Sequence, residues 1–163
     1  MKWLLGIVGV LVAVVALIYV IGFSLPREHV AHAERVIPQS IEDIAARIRD
    51  VRAYPGWRDV AVENLRADRD AIAYVEIADG DRIAYRRTEP EADRLFVSEI
   101  ADETLPFGGQ WSITLTPDGA GTRVSIEENG HVRDPLYRFF SALVFGHTSS
   151  MELYLDKLAA SFV

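Results

Sequence analysis

The sequence predicts an α+β domain, with helices gathered on one side of an antiparallel sheet, carried behind one N-terminal transmembrane helix. Three observations predict it. The chain opens on an uncharged apolar run, continues through six period-two segments separated by turn residues, and closes on a long apolar stripe spaced by threes and fours.

Trp3 to Phe23 is twenty-one residues without a charge, an amide side chain or a proline. As a helix rising about 1.5 Å per residue it covers roughly 31 Å, the thickness of a bilayer hydrocarbon core. Trp3 and Tyr19 lie towards its ends, where amphipathic rings favour headgroups. Pro26 stops the helix, and Arg27 and Glu28 begin the polar chain. The alternatives are a cleaved signal peptide and a buried core helix. The run exceeds a secretory apolar region of about 7–15 residues, and Gly22-Phe23-Ser24 followed by Pro26 is a poor cleavage site. An uncleaved single-pass anchor is therefore expected over residues 1–26, with one soluble domain over 27–163. Lys2 before the span and Arg27 and Arg35 after it leave the charge balance nearly even. The very short N-terminus favours a bacterial inner-membrane anchor with the domain outside the cytoplasm.

In the domain, His29 to Ile37 reads as a strand and Ser40 as the N-cap of a helix to about Ile48. Asp43 stands in the capping-box position, and Ile41, Ile44, Ala45 and Ile48 form one apolar face. A short helical turn around Val51 to Tyr54 ends at Pro55-Gly56. Alternation then sets in: Val60–Leu65, Ala71–Ile77, Asp81–Glu89, Arg94–Ile100, Gln110–Pro117 and Gly121–Arg133, joined by turns such as Asp79-Gly80 and Asp118-Gly119-Ala120-Gly121. Trp111, Ile113 and Leu115 share one face of a strand; Thr122, Val124, Ile126 and Glu128 share one face of the next. Pro135 opens the closing stripe, from Leu136 through Phe140, Leu143, His147, Met151 and Tyr154 to Phe162. Gly146 interrupts it, and Ser149 with Glu152 offers a second capping box, so it is one bent helix or two pieces end to end.

Only Lys2 of the 17 basic residues precedes Arg27, so the domain is one charge more negative than the chain's −7. That disfavours nucleic acid and broad adhesion to anionic lipid. With no cysteine, thiolate nucleophiles and zinc–thiolate sites are excluded. His29 and His32 face opposite sides of a strand, and no metal, phosphate-cradling or dinucleotide motif is present, so no cofactor is expected.

The order of elements, together with Ala53-Tyr54-Pro55-Gly56-Trp57, Leu105-Pro106-Phe107-Gly108-Gly109-Gln110-Trp111, Gly121 to Gly130, and Phe145-Gly146-His147 to Tyr154-Leu155, resembles the START-like (SRPBCC) superfamily of polyketide cyclases, dehydrases and lipid-transport proteins. The resemblance covers residues 29 to 163 and carries a scaffold, with no catalytic signature. It implies the helix-grip fold, a curved antiparallel sheet of about six or seven strands wrapped on a long C-terminal helix. It also implies a hydrophobic cavity between them that holds a lipid or other apolar molecule.

Cavity candidates are Trp57, Phe107, Trp111, Ile113, Val124, Ile126, Phe140, Leu143, His147, Met151 and Tyr154. Each has a plainer reading. Trp57 packs the helix end onto the sheet, Trp111 is core, and Phe107 occupies a Pro-Phe-Gly-Gly turn rather than a gate or second membrane contact. His147, on the apolar stripe, is more often a hydrogen-bonded structural residue than a catalytic one. Glu128 shares parity with Val124 and Ile126 and is a weak acid–base candidate, unless a bulge at Asn129-Gly130 turns it outward. Three functions compete. The first is a membrane-anchored module binding an apolar small molecule or lipid. The second is a cyclase- or dehydrase-like enzyme using His147 with Glu128, and the third an interaction protein whose core is filled.

Overall fold

The computed structural model describes residues 2–146 and 148–163; the side chains of Lys2, Val144 and Phe145, and all of His147, stand outside that description. The elements are α1 (Lys2–Ser24), β1 (Glu28–Ile37), α2 (Ile41–Arg49), a 3-10 turn (Val51–Gly56), β2 (Ala61–Asp68), β3 (Ala71–Ala78), β4 (Asp81–Glu91), β5 (Leu95–Ile100), β6 (Phe107–Asp118), β7 (Gly121–Val132), α3 (Pro135–Phe140), a π turn (Ser141–Phe145) and α4 (Ser149–Ala160).

The strands form one antiparallel sheet in the order β1-β7-β6-β5-β4-β3-β2. Alternation decides its faces: Ile113 and Leu115 of β6 and Thr122, Val124 and Ile126 of β7 are buried, while Thr114 and Thr116 are exposed. The β6–β7 ladder runs without a shift through Gln110↔Asn129 and Gly109↔Gly130, so no bulge turns Glu128 away from the inward face. A bulge does fall in β2, between Glu63 and Arg66, with Asn64 at φ 53°. It overturns strict alternation there: Val62 and Leu65, of opposite parity, are both half-buried against the core.

Ser40 caps α2, its Oγ accepting from the Asp43 amide at 3.1 Å. Ile44, Ala45 and Ile48 then pack into the core with Ile37, Leu115, Val124, Ile126, Leu155 and Leu158. The C-terminal carbonyls of α2 are taken up by a buried arginine. Arg87 donates to Ile48 O and Arg49 O, and Tyr54 Oη donates to Ile48 O at 2.8 Å. The buried cation thus ties α2 to β4.

The closing stripe forms two pieces rather than one long helix. Asp134 caps α3 by accepting from the Leu136 and Tyr137 amides, and Pro135 suits the first turn. A π turn follows, and Gly146 takes φ 74°, which breaks the stripe. The expected Ser149 cap is displaced by one residue. Thr148 occupies the N-cap position without a side-chain bond, while Ser149 begins α4. Met151, Tyr154, Leu155 and Leu158 of α4 are buried on the sheet.

Helix α1 is long and apolar enough to cross a membrane. The most apolar 18 residues within Trp3–Ser24 have a mean hydropathy of 3.1, and none of them is buried in the chain, which is not the pattern of a core helix. It meets the domain against α3, and its residues that are not exposed, among those described, are Ile18, Ile21 and Gly22 in the last turns.

A tyrosine-lined candidate binding cavity

One end of the space between sheet and α4 is filled by α2; the other is not. There the structure holds a cavity of about 700 Å³, within the range of small-molecule sites. Its walls are aromatic, and each ring is placed by its strand. Tyr74 of β3 stands opposite Tyr85 of β4, the rings stacked at 5.6 Å. Tyr54 meets Tyr74 edge-on at 6.2 Å, and Trp111 of β6 meets Tyr154 of α4 edge-on at 5.9 Å. Burial pushes Tyr54, Tyr74, Tyr85 and Tyr154 above the ordinary phenol value, so these hydroxyls stay protonated. The Tyr154 hydroxyl is buried and makes no hydrogen bond among the described residues.

Two carboxylates enter this wall. Glu76 is 7% exposed and forms a two-armed pair with Arg58, whose guanidinium also lies over the Tyr54 ring at 4.7 Å and the Tyr154 ring at 5.0 Å. Burial raises the Glu76 carboxyl above its usual range, and Arg58 opposes the rise. Lys157 fastens α4 across this corner, donating to Arg58 O at 2.9 Å and reaching Asp59 Oδ2 at 3.0 Å.

Glu128 is held differently. The register sets Glu128 opposite both Trp111 and Ala31, so Trp111, Glu128 and His29 share the inward face of β6, β7 and β1. Trp111 Nε1 donates to Glu128 Oε2 at 3.0 Å, and His29 Nε2 lies 3.2 Å from Oε1. Gly130 makes this possible: a Cβ there would lie 2.5 Å from the His29 ring and 2.9 Å from the Glu128 carboxylate. A carboxylate has about four acceptor positions, so Glu128 retains capacity for a donor presented from the cavity.

Of the sequence-predicted site residues, the structure brings Phe107, Trp111, Ile113, Tyr154 and Glu128 together around the cavity. Val124, Ile126 and Met151 are instead in the filled core, each 0% exposed. They have the expected inward parity, but Val124 and Ile126 lie further along β7, where α2 closes the interior. Trp57 packs behind the cavity, its ring 5.3 Å from Tyr54 and 5.5 Å from Tyr154. Phe140 and Leu143 face outward, 37% and 58% exposed. His147 lies outside the described residues. Of the other acidic positions, Asp59 lies at the rim and Glu99 on the outer surface.

Sequence reasoning missed Tyr74, Glu76, Tyr85, Arg58 and the pairing of His29 with Glu128. On β3 the more apolar parity, Ala73, Val75 and Ile77, turns away from the cavity, and the Tyr74–Glu76 parity turns in. The available signal was a tyrosine and a glutamate sharing one face of a strand, with tyrosine again on the next.

A seven-stranded antiparallel sheet closed by a C-terminal helix over an apolar cavity defines a START-like α+β domain. The chain belongs to the polyketide cyclase / dehydrase and lipid transport family, whose model matches residues 28–163. Comparison with curated proteins finds no match. Among solved structures, a truncated norcoclaurine synthase from Thalictrum flavum superposes with a TM-score of 0.65 at 14% identity, covering 83% of this chain and 94% of that one. A Chromobacterium violaceum protein gives 0.60 at 20% identity, covering 81% and 95%. A START superfamily protein from Mycobacterium smegmatis gives 0.58 at 14% identity, covering 83% and 97%. At these identities the likeness is one of fold.

Proposed function

We propose that this chain is a membrane-tethered binding module that takes up an apolar small molecule or lipid in the cavity between the sheet and α4. The cavity carries the reading: about 700 Å³ walled by four tyrosines and Trp111, with Glu128 and the Arg58–Glu76 pair as its polar features. Family membership supports a hydrophobic ligand at the coarse level. Helix α1 supplies the tether, which keeps the pocket where an apolar ligand is concentrated. The domain lies outside the cytoplasm of a bacterial inner membrane. A C-terminal alkaline phosphatase fusion, active only outside the cytoplasm, tests that placement, and an inactive fusion would reverse it.

The binding test uses native mass spectrometry and organic extraction of the full chain, beside a Ser98→Trp variant. Ser98 faces Trp111 across β5 and β6 and lines the cavity, so an indole there takes up part of the ligand's space. A co-purifying apolar molecule that is absent from the folded variant supports the module. Equal retention by both removes the cavity as the site.

One observation favours a second reading, acid–base catalysis of the cyclase or dehydrase kind: Glu128 is a cavity carboxylate oriented by Trp111 and His29. Turnover of a bound polyketide-like substrate that disappears in Glu128→Gln, with binding retained, would move the reading there.

A further inference from the structure

The cavity-lining positions come from one half of each contributing strand, and the ladder registers gather those halves at a single end of the sheet. There β1 begins at Glu28 opposite His131, β6 begins at Phe107 opposite Val132, β5 ends at Ile100 opposite Tyr85, and β3 ends at Ala78 opposite Asp81. The exposed rim residues Asp59, Asp79, Asp81 and Leu153 belong to the same end. It is also the end at which the domain meets α1. Only Leu25, Pro26 and Arg27 separate α1 from β1, too short a link to let the domain tumble freely.

The junction is further fixed by α3. Arg138, 3% exposed, donates to Leu25 O at 2.9 Å and to Arg133 O at 3.2 Å. Gly22 packs so closely that a Cβ would lie 1.9 Å from Pro135 O. Gly22 is inside the apolar stretch, about 3 Å along the axis from Ser24 at a helix's rise per residue. Helix α3 therefore stands beside the last turns of the apolar helix, at the same depth. This segment leaves Tyr137, Phe140 and Leu143 50%, 37% and 58% exposed, with the Tyr137 ring also 6.3 Å from Phe107 and the Phe140 ring 5.4 Å from Phe139. Aromatic rings beside the end of an apolar span suit the headgroup boundary.

We infer that Pro135–Phe145 lies in the bilayer interface beside α1 as a second membrane contact, which turns the open end of the cavity toward the lipid. The inference rests on the reading of α1 as a membrane anchor, and lipid is the occupant because the exposed patch is continuous with α1. The acidic rim opposes strongly anionic headgroups, so a zwitterionic bilayer is the appropriate probe.

The absence of cysteine permits single nitroxide labels in the full chain. Leu143→Cys is compared with Val12→Cys in the middle of α1 and Thr116→Cys near the opposite end of β6, all at exposed positions, in phosphatidylcholine nanodiscs. Collision with dissolved oxygen is measured against collision with a water-soluble nickel chelate. The label at 143 is expected to follow that at 12, favouring oxygen, while that at 116 favours nickel. A label at 12 in hydrocarbon with 143 behaving like 116 overturns the second contact and leaves the anchor standing. Nickel access at 12 overturns the anchor and this inference with it.

Discussion

Replacing Arg58 with methionine isolates what the cavity's buried ion pair does for the fold. The change keeps an unbranched apolar stem but removes both arms of the pair with Glu76 and the guanidinium over Tyr54 and Tyr154. Glu76, 7% exposed, is left as an uncompensated carboxylate. Breaking a buried pair from one side costs about 3–5 kcal/mol, so Arg58→Met is expected to lose that much at pH 7. The Arg58→Met/Glu76→Met double variant, which leaves no stranded charge, is expected within about 1 kcal/mol of the original or above it. The pH dependence has a definite sign. Burial raises Glu76 above its ordinary value of 4.5 in the folded state, and removing Arg58 removes an opposing influence. A carboxyl raised on folding favours the folded state while protonated and loses that contribution as pH rises through the folded value. The deficit of the single variant therefore shrinks on acidification from neutral pH toward the ordinary carboxyl range. Urea unfolding of the full chain in non-ionic micelles, followed by tryptophan fluorescence, reads these differences. A single-variant loss below about 1 kcal/mol, or a double variant no better than the single, would refute the reasoning.

Four further outcomes follow from the same geometry. Ile126→Ala, at a position with no exposure, should cost about 2–5 kcal/mol in urea, whereas Leu143→Ala should stay within about 0.5 kcal/mol. Equal costs would place Ile126 outside the core. Gly130→Ala should cost about 1–3 kcal/mol and separate His29 from Glu128, because its Cβ meets both; unchanged His29 ring and Trp111 indole N–H resonances in NMR spectra at one fixed pH would contradict this. Spectrophotometric titration should show Tyr54, Tyr74, Tyr85 and Tyr154 ionising only well above the ordinary phenol range. Because these phenols are raised on folding, stability should fall as pH climbs past about 10, and six tyrosines titrating together in folded protein would show an open site. Glu128→Gln should weaken a bound apolar alcohol or amine more than the matching hydrocarbon, measured by competition; equal weakening would remove Glu128 from ligand contact.

Local signals in the sequence were enough for the elements and their order. The uncharged run gave α1, Ser40 and Asp43 gave the start of α2, and Gly146 gave the break in the closing stripe, because each is written in neighbouring residues. Parity also put Trp111, Ile113, Val124, Ile126 and Glu128 on one face, and the structure keeps them there. What parity could not decide was how far along that face the interior is filled. Helix α2 occupies one end, so Val124 and Ile126 became core while Trp111, Ile113 and Glu128 came to border open space. The partners of the polar groups were equally out of reach. His29 meets Glu128 across 99 residues, and Arg58 meets Glu76 across 18, through strand register rather than any local pattern. Tyr74 and Glu76 carry no local signal of facing inward, because the opposite parity of β3 is the more apolar and in a filled core that face would turn inward. A cavity reverses that preference, since its wall has to carry polar groups as well as apolar surface. The sequence alone determined an apolar helix and an α+β sheet domain behind it. Only the tertiary structure decided where the domain is hollow and which end of it lies beside α1, because both depend on pairing between strands far apart in the chain.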